Sequence, residues 1–481
     1  MLFNSFEYLI FLPVVFLLYW FVFQKNLKAQ NLFLLVASYV FYGWWDWRFL
    51  GLIAVSSSID FVCGLLLGRE GQRTQRKQLI LGISLMANLG LLGFFKYFNF
   101  FVESTVRLLH SIGFQANEYS LQLILPVGIS FYTFQTMSYT IDIYRGKVKP
   151  TNDIIAFFAY VGFFPQLVAG PIERASHLLP QFFESRKINY SDFSAGLRLI
   201  LWGLFKKMVV ADNCAPVVDW LFANHQSANS WQLMLGLVFF TFQIYGDFSG
   251  YSDIAIGTAR TFGLRLKPNF RIPFFSRDIA EFWRNWHISL YTWFRDYVYF
   301  PLGGNKGGLL LQIRNVLLIF LLSALWHGAS FHFVFWGLIN FFYILPLILF
   351  KKGNYQTEYV GQISSYPSLK ETGQMLLTFS LIALSFLYFR APYIGFGNSY
   401  FLSLVQNWDS YIPWTSKLVY LNLAFMTLFI GIEWKGRSFV NTFDGVLEKL
   451  PKAGRIAWYY SLVWLIILFG GRQQEFYYFQ F

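Results

Sequence analysis

The chain has 481 residues and a formal charge of +13, yet only 13% of it is charged and 56% is hydrophobic, against about 25% charged residues in an ordinary soluble protein. It carries 58 Phe, 29 Tyr and 17 Trp, more apolar and aromatic surface than a soluble fold of this length can hide. A soluble globular protein is therefore excluded, lipid must be the second solvent, and the basic excess belongs in cytoplasmic loops facing anionic headgroups.

In chain order, apolar runs long enough to cross a bilayer lie near 7–24, 31–50, 51–67, 78–98, 121–143, 153–170, 196–222, 231–262, 309–326, 331–350, 373–390, 417–434 and 456–471. The first is too long, and too often followed by others, to be a cleaved signal. Runs 31–50 and 51–67 read as a hairpin whose outer turn, Gly43 to Trp47, is an aromatic interface anchor. Runs 121–143 and 153–170 carry Pro126, Pro165, Gly170 and Pro171. They are expected to be broken, which at membrane depth requires protein or a cavity over the backbone. Cys63 and Cys214 read as buried free thiols. Basic loops at Lys25–Lys28, Arg69–Lys77, Lys351–Lys352 and 435–455 set the cytoplasmic side, which places both termini in the periplasm. No fixed-period repeat appears, and the chain is expected to be one integral-membrane domain over 1–481, with a terminal helix and aromatic tail at 456–481.

Four segments carry polar chemistry. In 239–257, FFTFQIYGDFSGYSDIAIG, Asp247 and Asp253 stand 120° apart on a helix, with Gln243 one turn earlier. They line a hydrophilic funnel or bond between helices around Gly246 and Gly250; for Asp253 the second reading is preferred. In 277–300, RDIAEFWRNWHISLYTWFRDYVYF, helical geometry puts Arg284, His287, Tyr291 and Arg295 on one stripe of an interfacial amphipathic helix. The arginines either steer a phosphate-bearing or acidic donor or snorkel at the membrane surface. In 320–337, His327 lies inside the apolar stretch 309–350, thirteen residues and so roughly 20 Å beyond Arg314. It reads equally as a functional group or as a hydrogen bond between helices; His332 reads as structural. The tail ends FYYFQF. It reads as an interface belt or as a segment docked in a groove, where a tyrosine could accept an acyl group. No nucleophile elbow, H-E-x-x-H, P-loop or G-x-G-x-x-G competes, and no metal-ligand spacing is present. A neutral buried histidine suits the general base that acyl transfer to a hydroxyl needs.

These segments together resemble the membrane-bound O-acyltransferase (MBOAT) family, in particular its bacterial alginate O-acetylation branch. The likeness rests on MLFNSFEYLIFLPVVFLLYW, FFPQLVAGPIER at 163–174, YGDFSGYSDIAIG at 245–257, FWRNWHISLYTWFRDYVYFPLGGN at 282–305, ALWHGAS at 324–330 and the terminal FYYFQF. The resemblance implies an all-α ring of about 11–13 membrane helices with re-entrant segments around a funnel. It maps the family's invariant histidine to His327, its second histidine to His287, and an acyl-carrying tyrosine to Tyr478. Here Tyr477 stands where the family often has an aliphatic residue, so the two tyrosines remain alternatives. The expected function is transfer of an acetyl group from a cytoplasmic thioester, acetyl-coenzyme A or an acyl carrier protein, to an exported polysaccharide such as alginate. The donor is a substrate docking at Arg284 and Arg295; no cofactor is held permanently and no metal. A periplasmic acetyltransferase, membrane lipid and the polysaccharide are the expected partners, with no nucleic acid, in the bacterial inner membrane. A transporter of a lipid-linked sugar, or a non-catalytic scaffold for polysaccharide export, is the rival reading. The transporter lacks its expected second set of broken helices, and the scaffold would tolerate loss of His327.

Overall fold

The computed structural model describes residues 1–69, 73–114, 121, 126–168, 170–351, 353, 355, 357, 359–362, 366–409, 417–448, 450–470, 474 and 476–477. The described residues form helices, turns and loops without a strand. Helices start where local chemistry sets them. Ser5, Asn26, Asp153 and Asp278 each accept a hydrogen bond from the backbone three residues on, and Ser368 with Glu371 makes a reciprocal capping box.

Seven helices among the described residues are long and apolar enough to cross a membrane: Phe49–Leu67, Thr74–Ser111, Ser230–Thr261, Leu309–His327, Phe331–Leu349, Leu369–Arg390 and Leu418–Gly436, with Phe6–Val22 as a shorter apolar helix. The remaining runs differ from simple spans for identifiable reasons. Within run 121–143 the described helix is Ile129–Tyr144, and it follows a turn at 127–128 with Gly128 in the left-handed region (φ 76°). Run 153–170 breaks into Ile154–Gly162 and Phe164–Leu167 around Phe163 and Pro165. Phe164–Leu167 is wholly buried and Ile154–Gly162 mostly so beyond the exposed Ile154, and the break itself at Phe163 is buried, as broken backbone at membrane depth requires. Run 196–222 is interrupted by a π-helical stretch, Phe205–Ala211, that contains Lys206 and Lys207. Helix Leu27–Asp46 continues through the tryptophans, so the expected hairpin turns at Trp47–Arg48 instead of Gly43–Trp47.

Residue contacts group the chain into two compact units, Met1–Gly196 with Thr258–Lys267, and Leu197–Gly257 with Pro268–Phe481. In the first, Phe49–Leu67 packs against Thr74–Leu92 and Ile129–Tyr144. A buried polar network joins the three: Asp60 accepts from Ser84 and from Asn88 (2.7 Å), Asn88 accepts from Ser56 (2.7 Å), and Ser84 meets Thr140 (2.9 Å). Satisfied polar groups of this kind hold apolar helices together where lipid removes the hydrophobic drive.

In the second unit, Leu309–His327 pairs with Phe331–Leu349, which packs against Leu369–Arg390. The π-helical stretch lies against Leu418–Gly436 and the last helix, Lys452–Phe469. Its approach to Ser230–Thr261 depends on two glycines. A Cβ on Gly203 would stand 2.6 Å from the Gly250 carbonyl, and one on Gly250 2.8 Å from the Gly203 carbonyl. Backbones this close bring short acidic side chains of one segment onto the lysines of the other. Cys63 and Cys214 are buried free thiols.

Candidate active site

The segment 277–300 is not one helix. It runs as Ile279–Asn285, then Ile288–Phe294, then a π-helical turn Arg295–Tyr299. Trp286 is extended and His287 sits in the left-handed region (φ 45°, ψ 53°), a conformation that costs a β-carbon residue about 1–2 kcal/mol. The expected stripe of Arg284, His287, Tyr291 and Arg295 is therefore broken at its second member, because helical phase is lost across the kink. Arg284 is exposed and donates a long bond, 3.5 Å, to the Gly353 carbonyl. Arg295 is exposed and pairs with Asp296 at 2.7 Å. His287 is turned inward and buried.

The kink also decides the chemistry of His287. Its Nδ1 lies 3.2 Å from Asn269 Oδ1. The Ser289 backbone N–H, which can only donate, points at the same Asn269 atom (3.3 Å), as does the Ser289 hydroxyl (2.8 Å). That atom is therefore an oxygen, and His287 Nδ1 carries the proton it donates. Nε2 is left as the acceptor nitrogen. Burial pulls the His287 pKa down to about 3, so the ring is neutral at physiological pH.

His327 is the last residue of Leu309–His327, and Gly328 leaves the helix extended. Its ring is buried and edge-on to Trp326, Trp336 and Phe389, with centroids at 4.9, 5.2 and 5.1 Å. Trp326 also lies against His287 (5.6 Å), so one indole separates the two imidazoles. His332 Nδ1 bonds the Tyr388 carbonyl at 3.1 Å, a link between helices.

The tail is docked where it is described. Phe476 and Tyr477 are buried. Phe476 packs on Phe248, which packs on His287 at 4.7 Å. Tyr477 packs on Phe389, which packs on His327 at 5.1 Å. Consecutive tail residues thus stand one aromatic ring from each histidine. Tyr478 lies outside the described residues. Burial pushes the Tyr477 phenol up to about 12, and Arg390 lies over its ring at 5.9 Å.

An ionic clamp holds this tail. Lys207 Nζ is 2.7 Å from both Asp212 and Asp247 and donates to the Gln474 carbonyl at 3.1 Å. Asp247 accepts the Tyr477 backbone N–H at 2.7 Å. Beside it, Lys206 pairs with Asp253 at 2.7 Å, and Tyr245 donates to Glu433 at 2.6 Å. The alternatives left open for the two aspartates resolve into inter-segment ion pairs. The lysines were overlooked in the sequence. Their signal was two adjacent cations inside an apolar run, one residue apart, facing two anions 120° apart on the next. Asn269 had no signal, since only the loop's path brings it to His287. Among the described residues no group of three or more His, Cys, Asp or Glu could hold a metal ion.

Among the described residues, helices without strands, seven of them of span length, define a multi-pass membrane protein, and its interior holds a buried histidine pair with a docked tail. The profile of the MBOAT, membrane-bound O-acyltransferase family matches residues 49–354, which include both histidines. The chain is 43% identical over 340 residues to "Probable alginate O-acetylase" of Azotobacter vinelandii, covering 70% of this chain and 66% of that one. It is 39% identical over 394 residues to the protein of the same name in Pseudomonas aeruginosa (81% and 72%). To "Peptidoglycan O-acetyltransferase" of Helicobacter pylori it is 35% identical over 409 residues (79% and 75%). The chain belongs to the membrane-bound O-acyltransferase family.

Proposed function

We propose that this acyltransferase moves an acetyl group from a cytoplasmic thioester to hydroxyls of an exported cell-surface polysaccharide, in the bacterial inner membrane. The observation that carries the reading is the buried histidine pair with consecutive tail residues one ring from each. His327 is the general base. It takes the proton of the attacking hydroxyl as the oxygen bonds to the thioester carbon. It returns that proton to the sulfur as the C–S bond breaks, so thioester and hydroxyl become ester and thiol. His287, with Nε2 as acceptor, positions the donor by accepting from one of its N–H groups; its tautomer suits this better than polarising the carbonyl.

Tyr478, or Tyr477, carries the acyl group outward as a phenyl ester, and a periplasmic acetyltransferase receives it. A phenol raised to about 12 is protonated and needs a base before it can attack. Arg284 and Arg295, both exposed, offer charge to acetyl-coenzyme A or an acyl carrier protein, the donor being a substrate. Relatives named for alginate favour a uronate polymer as acceptor, with the relative named for peptidoglycan as the competing choice.

The test is mass spectrometry of the purified protein after incubation with labelled acetyl-coenzyme A or acetylated carrier protein. Wild type is compared with His327→Ala, Tyr477→Phe and Tyr478→Phe. Label on the C-terminal peptide, lost in His327→Ala and in one tyrosine variant, is expected. A folded His327→Ala protein that still transfers acetyl at the wild-type rate sinks the assignment.

A further inference from the structure

The first unit holds a cavity of about 410 Å³ that none of the histidine-site residues line, within the ~300–1,000 Å³ range of ligand pockets. Its wall includes Arg186, Lys187, Arg260 and Arg265 against only two carboxylates, Glu184 and Asp192. Arg260 and Arg265 share Asp192, at 3.7 and 3.0 Å. His177, also on the wall, is held by Glu173 at 2.8 Å.

Arg186 is the unusual member. It is 5% exposed. Its Nε donates to Gln30 (3.3 Å) and its Nη2 to Asn31, and its guanidinium lies over the rings of Tyr19 and Phe182. All four neighbours are neutral. Its buried Nη1 has no hydrogen-bond partner among the described residues. The other strongly buried cations behave differently: Lys206, Lys207 and Arg277 each hold a carboxylate at 2.6–2.7 Å. A guanidinium does not give up its proton in a protein, and a buried charge without a counter-charge is costly. A guanidinium held by neutral groups alone, in the wall of a cavity with more cations than carboxylates, suits an anionic ligand.

We propose that the cavity binds a phosphate group, with Arg186 as the interior anchor and Lys187, Arg260 and Arg265 around it. A planar guanidinium fork matches phosphate oxygens two at a time. The phosphate comes from an anionic lipid headgroup or from a soluble phosphate compound. The inference goes beyond the acyl-transfer reading and does not rest on it.

The test uses the full chain in phosphatidylcholine nanodiscs. Coenzyme A and inorganic phosphate are titrated by calorimetry, and retained phosphatidylglycerol is counted by native mass spectrometry. At least one probe binds wild type, and Arg186→Gln weakens it by about tenfold or more, the loss of one charge-assisted pair. Arg265→Gln and Lys187→Gln, both at exposed positions, weaken it less. Phosphatidylglycerol binding alone assigns a lipid site, coenzyme A or phosphate alone a soluble ligand, and mutual competition a shared one. Absence of binding by every probe overturns the proposal, as does binding that all three variants leave unchanged. If Arg186→Gln fails to fold, the two exposed variants decide.

Discussion

Replacing Lys207 by Met removes the cation that stands 2.7 Å from Asp212 and Asp247 and 3.1 Å from the Gln474 carbonyl. Two carboxylates are then left together in a buried site. Breaking a buried pair from one side costs about 3–5 kcal/mol, moderated as the acids take up protons. The tail loses a charge-assisted hydrogen bond worth about 1.5–3 kcal/mol, so its docking equilibrium falls about 10- to 100-fold. Hydrogen exchange read by mass spectrometry on a peptide containing Tyr477 reports this directly, because the Tyr477 N–H is held by Asp247. Its protection should drop by that factor. Lys206→Met is the control. It breaks the neighbouring pair with Asp253 and should lower melting temperature without selectively exposing the tail. If the Tyr477 amide stays protected in Lys207→Met, or both variants release it equally, the clamp does not hold the tail and the reasoning fails.

Two further outcomes follow from the His287 geometry. Asn269→Leu removes the acceptor that keeps the proton on Nδ1, so kcat/KM for the acyl donor should fall by about 2- to 10-fold, chiefly through a raised KM, with the protein still folded; unchanged steady-state kinetics would remove Asn269 from the site. His287 is depressed from 6.5 to about 3 in the folded state by burial. Between those values the unfolded chain binds the extra proton, so this group makes stability rise with pH from about 3 to 6.5 and adds no slope above. His287→Gln should flatten that acid limb in melting curves, and an unaltered slope would contradict the burial argument.

Much of the site was legible because intramembrane polarity is expensive and therefore informative. His327, His287, Asp247 and the aromatic tail all stood out against apolar runs, and the breaks near Pro126 and Pro165 followed from proline and glycine alone. The amphipathic stripe through Arg284 and Arg295 was misread, because periodicity assumes an unbroken helix and cannot register a left-handed residue at His287.

By itself the sequence determined the solvent, the helical class and the residues able to do chemistry, since these depend on composition and on local capping and breaking. Only the tertiary structure decided which of those residues meet. Asn269 chooses the tautomer of His287, and Trp326 stands between the two histidines, in ring contact with both. Lys207 gathers Asp212, Asp247 and a tail more than two hundred residues away. Those contacts depend on backbones approaching at Gly203 and Gly250 and on the path of loops between helices, which no local pattern of residues encodes.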